Sequence, residues 1–229
     1  MSTSEQTQTQ VAWDEIAAGY DRTNTPSQMW VANEGLRRAG LSPGMRFLDV
    51  AAGSGALSIP AARLGARVLA TDLSPAMLEL LERRARDEGL SIETRVMDGH
   101  ALDLDDDSFD LAGSQFGVML FPDMPKGIAE MARVVRPGGR VVILEITTPQ
   151  RAPLSWFYGL WFDRAVPALG RVAGDPDAYS YLPSSVKRFP GPRDLAALMA
   201  GCGLRDVRWI LTAGGIIAIH VGTVPEAGG

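Results

Sequence analysis

Three aspartates, at or just past the ends of apolar runs, and one glycine hairpin are the residues of this chain whose types and spacing could do chemistry. In Phe47-Leu48-Asp49-Val50-Ala51-Ala52-Gly53-Ser54-Gly55 an apolar strand carries a carboxylate and ends in small residues that allow close approach to the backbone. The segment Leu57-Ser58-Ile59-Pro60-Ala61-Ala62 follows and starts a helix, so the hairpin sits where a helix N-terminus can hold a polar ligand. Asp72 comes directly after the run Arg67 to Thr71, and Asp98 directly after Ile92 to Met97. On a parallel sheet neighbouring strand ends line one edge, which gathers the hairpin and the three carboxylates into one site.

The hairpin alone does not choose its ligand, because Gly53-x-Gly55 also suits nicotinamide- and flavin-binding folds. Ser58 stands where the dinucleotide fingerprint has its third glycine. A pyrophosphate at this loop would also lie close to Asp49, a like charge. S-adenosylmethionine has no phosphate and carries a sulfonium and an ammonium beside an adenosine. Asp49 would favour its amino-acid end, and the Gly53 to Gly55 amides would approach it closely. Asp72 is placed to accept from both ribose hydroxyls, and Asp98 from the exocyclic adenine amine, with the Gly99 or His100 amide near a ring nitrogen. An NAD(P)-dependent oxidoreductase is the alternative, as is a protein of the same fold that binds the cofactor without transferring methyl.

The elements that must position these residues alternate. The helical spacing of Val11, Trp13, Ile16 and Ala17 predicts a short helix to Tyr20, and Thr25-Pro26-Ser27 opens a second one to about Arg38, ended by Gly40. Strands are predicted over Met45–Val50, Arg67–Thr71, Ile92–Met97, Phe109–Gln115 and Arg140–Ile146, with helices near Leu57–Leu64, Ala76–Glu88 and Met124–Val135, and Arg136-Pro137-Gly138-Gly139 as a turn. Two further strands, Arg205–Leu211 and Ile216–Val224, form a hairpin that adds an antiparallel strand. The expected fold is therefore α/β, a Rossmann-like sheet of seven strands, mostly parallel, with helices on both faces. A single domain is expected over 1–229: a disordered tail at 1–10, a helical cap at 11–44, a ligand-binding core at 45–147, an insertion at 148–192, and the final helix and hairpin at 193–229.

The composition is that of a globular protein, 46% hydrophobic with formal net charge −5 and no basic block, which points to a small molecule rather than nucleic acid as partner. No apolar run is long enough to span a membrane, the polar first ten residues do not form a secretory signal, and a cytoplasmic setting is expected. Cys202 is the only cysteine, which excludes disulfides and cysteine-based metal centres within one chain, and it reads as a buried small residue. Glu79 to Glu88 reads as a solvated helix face, and Asp103 to Asp107 as a polar turn lacking the spacing of a calcium loop. No metal is expected, and a homodimer is left open.

LDVAAGSG, ATDLSPAML and RVVRPGGRVVI together resemble the class I S-adenosylmethionine-dependent methyltransferases. WDEIAAGYD, LEITTP, AYSYLPSSVKRFP and LTAGGIIAIHVG resemble the ubiquinone/menaquinone C-methyltransferase family within that class, over nearly the whole chain. The resemblance implies cofactor contacts at Ser54, Asp72, Asp98, Gly99 and Gln115, with Tyr20 closing over the methionine end. Together with the residues above, the expected cofactor set is Tyr20, Asp49, Ala51, Gly53, Ser54, Gly55, Asp72, Leu73, Met77, Asp98, Gly99, His100 and Gln115. After the fourth strand the chain departs from that family's Ser-Phe-Gly-x-Arg-Asn pattern, placing Met119 and Leu120 at the Arg-Asn pair.

For the acceptor, eight of the 16 aromatic residues fall between Trp156 and Phe189. That segment is expected to form an apolar lid with Phe116, Met119 and Phe121, Tyr179 and Tyr181 included, over an aromatic, quinone-like or polyketide-like molecule. Methyl transfer at carbon or oxygen rests on alignment, so no catalytic residue is assigned; His220 reads as structural, and His100 as contributing its backbone alone.

Overall fold

A computed structural model of the chain describes residues 3–147 and 189–226. The sheet has seven strands in the order β3-β2-β1-β4-β5-β7-β6, where β1 is Arg46–Val50, β2 Arg67–Asp72, β3 Ile92–Val96, β4 Phe109–Gln115, β5 Val135–Ile146, β6 Arg205–Thr212 and β7 Ile217–Thr223. β1 to β5 pair in parallel, and β7 runs antiparallel to both β5 and β6. This is the sheet that the alternating sequence predicts.

Strand periodicity divides the core into two layers. Leu48, Val50, Ala112, Val141 and Ile143 pack with α5 (Met124–Val134) and α6 (Pro192–Gly201) through Ile128, Met131, Leu195 and Met199. On the opposite face Phe47, Leu111, Val142 and Leu144 pack against α2 (Thr25–Ala39) and α3 (Ser58–Arg63) through Val31, Ala32, Leu36 and Ala61. Helix α2 is thus a core helix as well as part of the N-terminal cap. It stops at Gly40, whose φ of +74° lies in the left-handed region that suits glycine.

Three expectations are corrected. Residues 3–10, read as a tail, are the first eight residues of α1 (Thr3–Thr23), a stretch that holds no glycine or proline to break a helix. The turn at 136–139 belongs to β5: Val135 pairs with Phe109, the register slips, and Arg140 pairs with Leu111. Gly138 N donates to Val224 O at 3.0 Å and Val224 N to Gly139 O at 2.9 Å, so this stretch stays in the ladder. The charged face of α4 (Pro75–Asp87) is not simply solvated, since Arg84 pairs with Asp21 of α1 at 2.5 Å, while Glu88, at the end of α4, pairs with Arg63 of α3 at 2.7 Å.

His220 is fully buried in β7 and meets the Pro192 carbonyl at 2.8 Å through Nε2, a structural position far along the sheet from the glycine hairpin. Cys202 is only half-buried, its Sγ 3.3 Å from the Pro125 carbonyl oxygen. Tyr179, Tyr181 and the aromatics from Trp156 to Phe162 lie outside the described residues.

Candidate functional site

Strand order reverses between β1 and β4, and a cavity opens at that switch, over the C-terminal ends of the parallel strands. Of the expected cofactor residues, Tyr20, Ala51, Gly53, Ser54, Asp72, Leu73, Met77, Asp98, Gly99, His100 and Gln115 line it. Phe116 and Phe121 line it as well. Asp49, Gly55 and Met119 are not on its wall, and each has another part in the geometry.

Asp49 is completely buried on the α3 side of β1, where Ser58 Oγ donates to its Oδ2 at 2.5 Å and Oδ1 has no partner. Burial raises its pKa to about 7, and nearby Asp72 adds to the rise although the Ser58 bonds oppose it. The Ser58 that breaks the dinucleotide fingerprint is thus the partner of the strand carboxyl. Gly55, at φ +97°, would drive a Cβ to 2.9 Å from Leu81, so it admits α4 against the hairpin rather than a ligand.

The hairpin is tied from two sides, by Asp72 after β2 and by Thr25 of α2. Gly53 N donates to Asp72 Oδ2 at 2.8 Å, and Ser74 N to Asp72 Oδ1 at 2.9 Å. Ser54 Oγ meets Thr25 Oγ1, at the start of α2, at 2.5 Å. Burial raises the Asp72 pKa above the usual value, with the amides of Ser74, Gly53 and Leu73 pulling the other way and Asp14 adding to the rise. Ala51 and Phe116, on the ends of β1 and β4, are both in the left-handed region at φ +56° and +59°. Such strain in non-glycine residues clusters at binding sites.

At one end of the cavity Gln115 anchors its Nε2 on the Gln28 carbonyl at 3.1 Å and presents Oε1 without a partner. At the other, Asp98 Oδ1 accepts from both the backbone N–H and the Nδ1 of His100, at 3.0 and 2.7 Å, and Oδ2 accepts from Gln6 Nε2 at 2.6 Å. The His100 amide is therefore spent on Asp98, which leaves the Gly99 amide for a ring nitrogen. The wall between is apolar: Phe116, Leu120, Phe121 and Pro122. Its turn at 118–120 is pinned by Glu145, a fully buried carboxyl whose Oε1 accepts from Met119 N at 3.0 Å. Burial lifts the Glu145 pKa to about 8, against the Met119, Val118 and Ile146 amides, so the group carries its proton at neutrality.

Sequence reasoning missed the contribution of the first two helices beyond Tyr20. Thr9, Trp13, Thr25 and Gln28 line the cavity, and Gln28 Nε2 donates to the Tyr20 hydroxyl at 3.3 Å. Leu120 and Pro122 were missed too, because the side-chain direction along a 3₁₀ turn has no simple sequence period. The N-terminal residues carried no apolar repeat at all; only their lack of helix breakers could have suggested them.

A glycine cradle, carboxylates at successive strand ends, and unpartnered buried acceptors at both ends of the cavity fit S-adenosylmethionine, whose amine, hydroxyls and ammonium are all donors. Known proteins agree. A demethylmenaquinone methyltransferase from Thermus thermophilus is 40% identical over 183 residues, covering 79% of this chain and 83% of its own. One from Mycobacterium sp. (strain KMS) is 35% identical over 219 residues, covering 93% and 92%. Among solved structures, a SAM-dependent methyltransferase from Aquifex aeolicus superposes with TM-score 0.67 at 16% identity over 92% of this chain and 98% of its own, a likeness of fold. Residues 1–224 match the ubiE/COQ5 methyltransferase family. The chain belongs to that family and is an S-adenosylmethionine-dependent methyltransferase acting on a small, mostly apolar acceptor.

Proposed function

We propose that the acceptor is a quinol of the demethylmenaquinone kind, methylated on a ring carbon. The observation that carries this is the apolar wall of Phe116, Leu120, Phe121 and Pro122, which borders the end of the cavity where Gln115 presents its free oxygen. An aromatic ring laid on that wall has a flat face for the ring and no buried charge to desolvate. The names of the relatives from Thermus thermophilus and Mycobacterium sp. support the same class of acceptor.

In this reading Gln115 Oε1, with Tyr20 above it, orients the cofactor's ammonium, the Gly53 and Ser54 backbone supports its amino-acid end, and Asp72 holds the ribose. Leu73 and Met77 pack against the nucleoside, Gly99 N meets an adenine ring nitrogen, and Asp98 takes the adenine amine. Asp49 acts from behind the loop, through Ser58. When bound, S-adenosylmethionine supplies an electrophilic methyl on a positive sulfur. A carbon–methyl bond would form in line as the sulfur–methyl bond breaks, its electron pair staying with sulfur, and the ring proton would pass to bulk water as aromaticity is restored. The protein's part is alignment and the exclusion of water. With Met119 and Leu120 in place of a polar pair, the turn at 118–120 brings no base to the acceptor hydroxyl.

Residues 148–192 complete the acceptor side in this reading, Tyr179 and Tyr181 among them. The net charge of −5 supports a small molecule over nucleic acid, and no helix among the described residues is long and apolar enough to cross a membrane, which is compatible with work in the cytoplasm. β6 is the last strand of the sheet among the described residues, and its exposed Trp209 and Leu211 support a homodimer, which sedimentation tests.

The experiment is methyl transfer from labelled S-adenosylmethionine to demethylmenaquinol, with simple phenols and polyketides as competitors. Label on a carbon of the quinol is the expected result. S-adenosylhomocysteine binding with no labelled quinol would overturn the acceptor; label found only on oxygen would overturn the ring-carbon assignment.

A further inference from the structure

Gln28, near the start of α2, holds two of the residues expected at the amino-acid end of the cofactor. Its carbonyl accepts from Gln115 Nε2 at 3.1 Å, and its own Nε2 donates to the Tyr20 hydroxyl at 3.3 Å. Thr25, three residues earlier and on the same face of the helix, meets Ser54 Oγ at 2.5 Å. Gln28, Gln115, Tyr20, Thr25 and Ser54 all line the cavity. The start of one helix thus holds the end of β4, the glycine hairpin and α1 in a single arrangement.

What Gln28 transmits is the fixed position of α2. Val31, Ala32 and Leu36 of that helix are fully buried against the sheet, and at Gly35 it lies so close that a Cβ would fall 2.8 Å from Leu144 of β5. A helix packed in this way has little freedom to shift or turn. Tyr20 belongs instead to α1, whose ties to α4 are polar, from Asp14 to Ser74 and from Asp21 to Arg84. Trp13 meets the Tyr20 ring edge-on at 5.7 Å between centroids, but both belong to α1, so that contact does not tie the phenol to the core. The bond from Gln28 does, and it acts on the hydroxyl at the tip of the side chain.

We propose that Gln28 is a positioning residue for the methionine end of the cofactor: its side-chain amide sets the Tyr20 hydroxyl, and its carbonyl sets the plane of the Gln115 amide. The proposal rests on the S-adenosylmethionine reading of the site and deepens it, because it brings into cofactor recognition a helix that lies outside the glycine hairpin and the strand ends.

Calorimetry with S-adenosylhomocysteine and with methylthioadenosine, which keeps the nucleoside and lacks the amino acid, tests it. Gln28→Met keeps the length of the side chain and the backbone carbonyl while removing the amide. It is expected to weaken S-adenosylhomocysteine about fivefold and to leave methylthioadenosine within about twofold of wild type. Equal weakening of both ligands would mean that the residue only supports the fold, and would overturn the proposal; so would unchanged binding of both. Tyr20→Phe, which keeps the ring, is expected to show the same split between the ligands. In the Tyr20→Phe background Gln28→Met should then cost almost nothing more, whereas a second loss of about fivefold would show that Gln28 does not act through the Tyr20 hydroxyl. A wild type that binds neither ligand overturns the cofactor reading and this proposal with it.

Discussion

At Asp49 a fully buried carboxyl has one oxygen on Ser58 and the other on nothing, and its pKa stands at about 7 against an ordinary 3.8. The folded protein therefore holds a proton that the unfolded chain has already released between about pH 4 and pH 7, so the group's contribution to stability is full below that window and is lost as pH rises through it. Asp49→Asn, which cannot ionise, is expected to gain in melting temperature relative to wild type as pH rises from 4 to 7, with the difference levelling off above that. A difference that stays flat with pH would show that Asp49 is ionised in the folded state. Gln115 makes a second expectation: Gln115→Leu removes both the tie to Gln28 and the free Oε1, and should weaken S-adenosylhomocysteine by about tenfold with little loss of stability. The three aspartates were legible because carboxylates at strand ends are conspicuous in a sequence. What surrounds them was not: that Ser58 would face Asp49, or that His100 would turn its ring back onto Asp98, depends on rotamers and on contacts across the fold.

Helix α1 is held on the site by polar contacts rather than by an apolar stripe. Asp14 Oδ1 accepts from Ser74 Oγ at 2.5 Å and from Ala76 N at 3.2 Å, so a residue of α1 helps to cap α4, and Arg84 pairs back with Asp21. Ser74 itself accepts from Met77 N at 3.1 Å, and Pro75 opens the helix. Asp14→Ala is expected to cost about 1–2 kcal/mol in denaturant unfolding. It should also speed amide exchange in α1 more than in the β1–β4 strands; uniform exchange would show that α1 does not open separately. A helix anchored in this way leaves little trace in hydrophobic periodicity, which explains why Val11 to Tyr20 was read as helical and residues 3–10 were not. The opposite holds for α4, α5 and the strands other than β5, where apolar spacing located each element to within a residue or two, because there burial itself fixes the structure; the start of β5, hidden in the turn-like Arg136-Pro137-Gly138-Gly139, was placed five residues late.

The whole molecule behaves as one sheet with its ligand edge at the β1–β4 switch, so ligand binding should stabilise it by linkage. S-adenosylhomocysteine at about 100 times its Kd is expected to add roughly 2.7 kcal/mol and raise the melting temperature by several degrees, while NADH leaves it unchanged. A shift with NADH alone would restore the oxidoreductase alternative. The sheet order has one more consequence. β7, from Ile217 to Thr223, does not sit on the rim but between β5 and β6, and supplies the ladder for both. While the chain is being synthesised, every residue of the cofactor hairpin leaves the ribosome long before β7 does, so β5 waits with a bare, strongly apolar edge until the strand that covers it arrives. The nascent protein is therefore most exposed to misassociation late in its synthesis, and chaperones that shield apolar strands would have their longest engagement with this chain there.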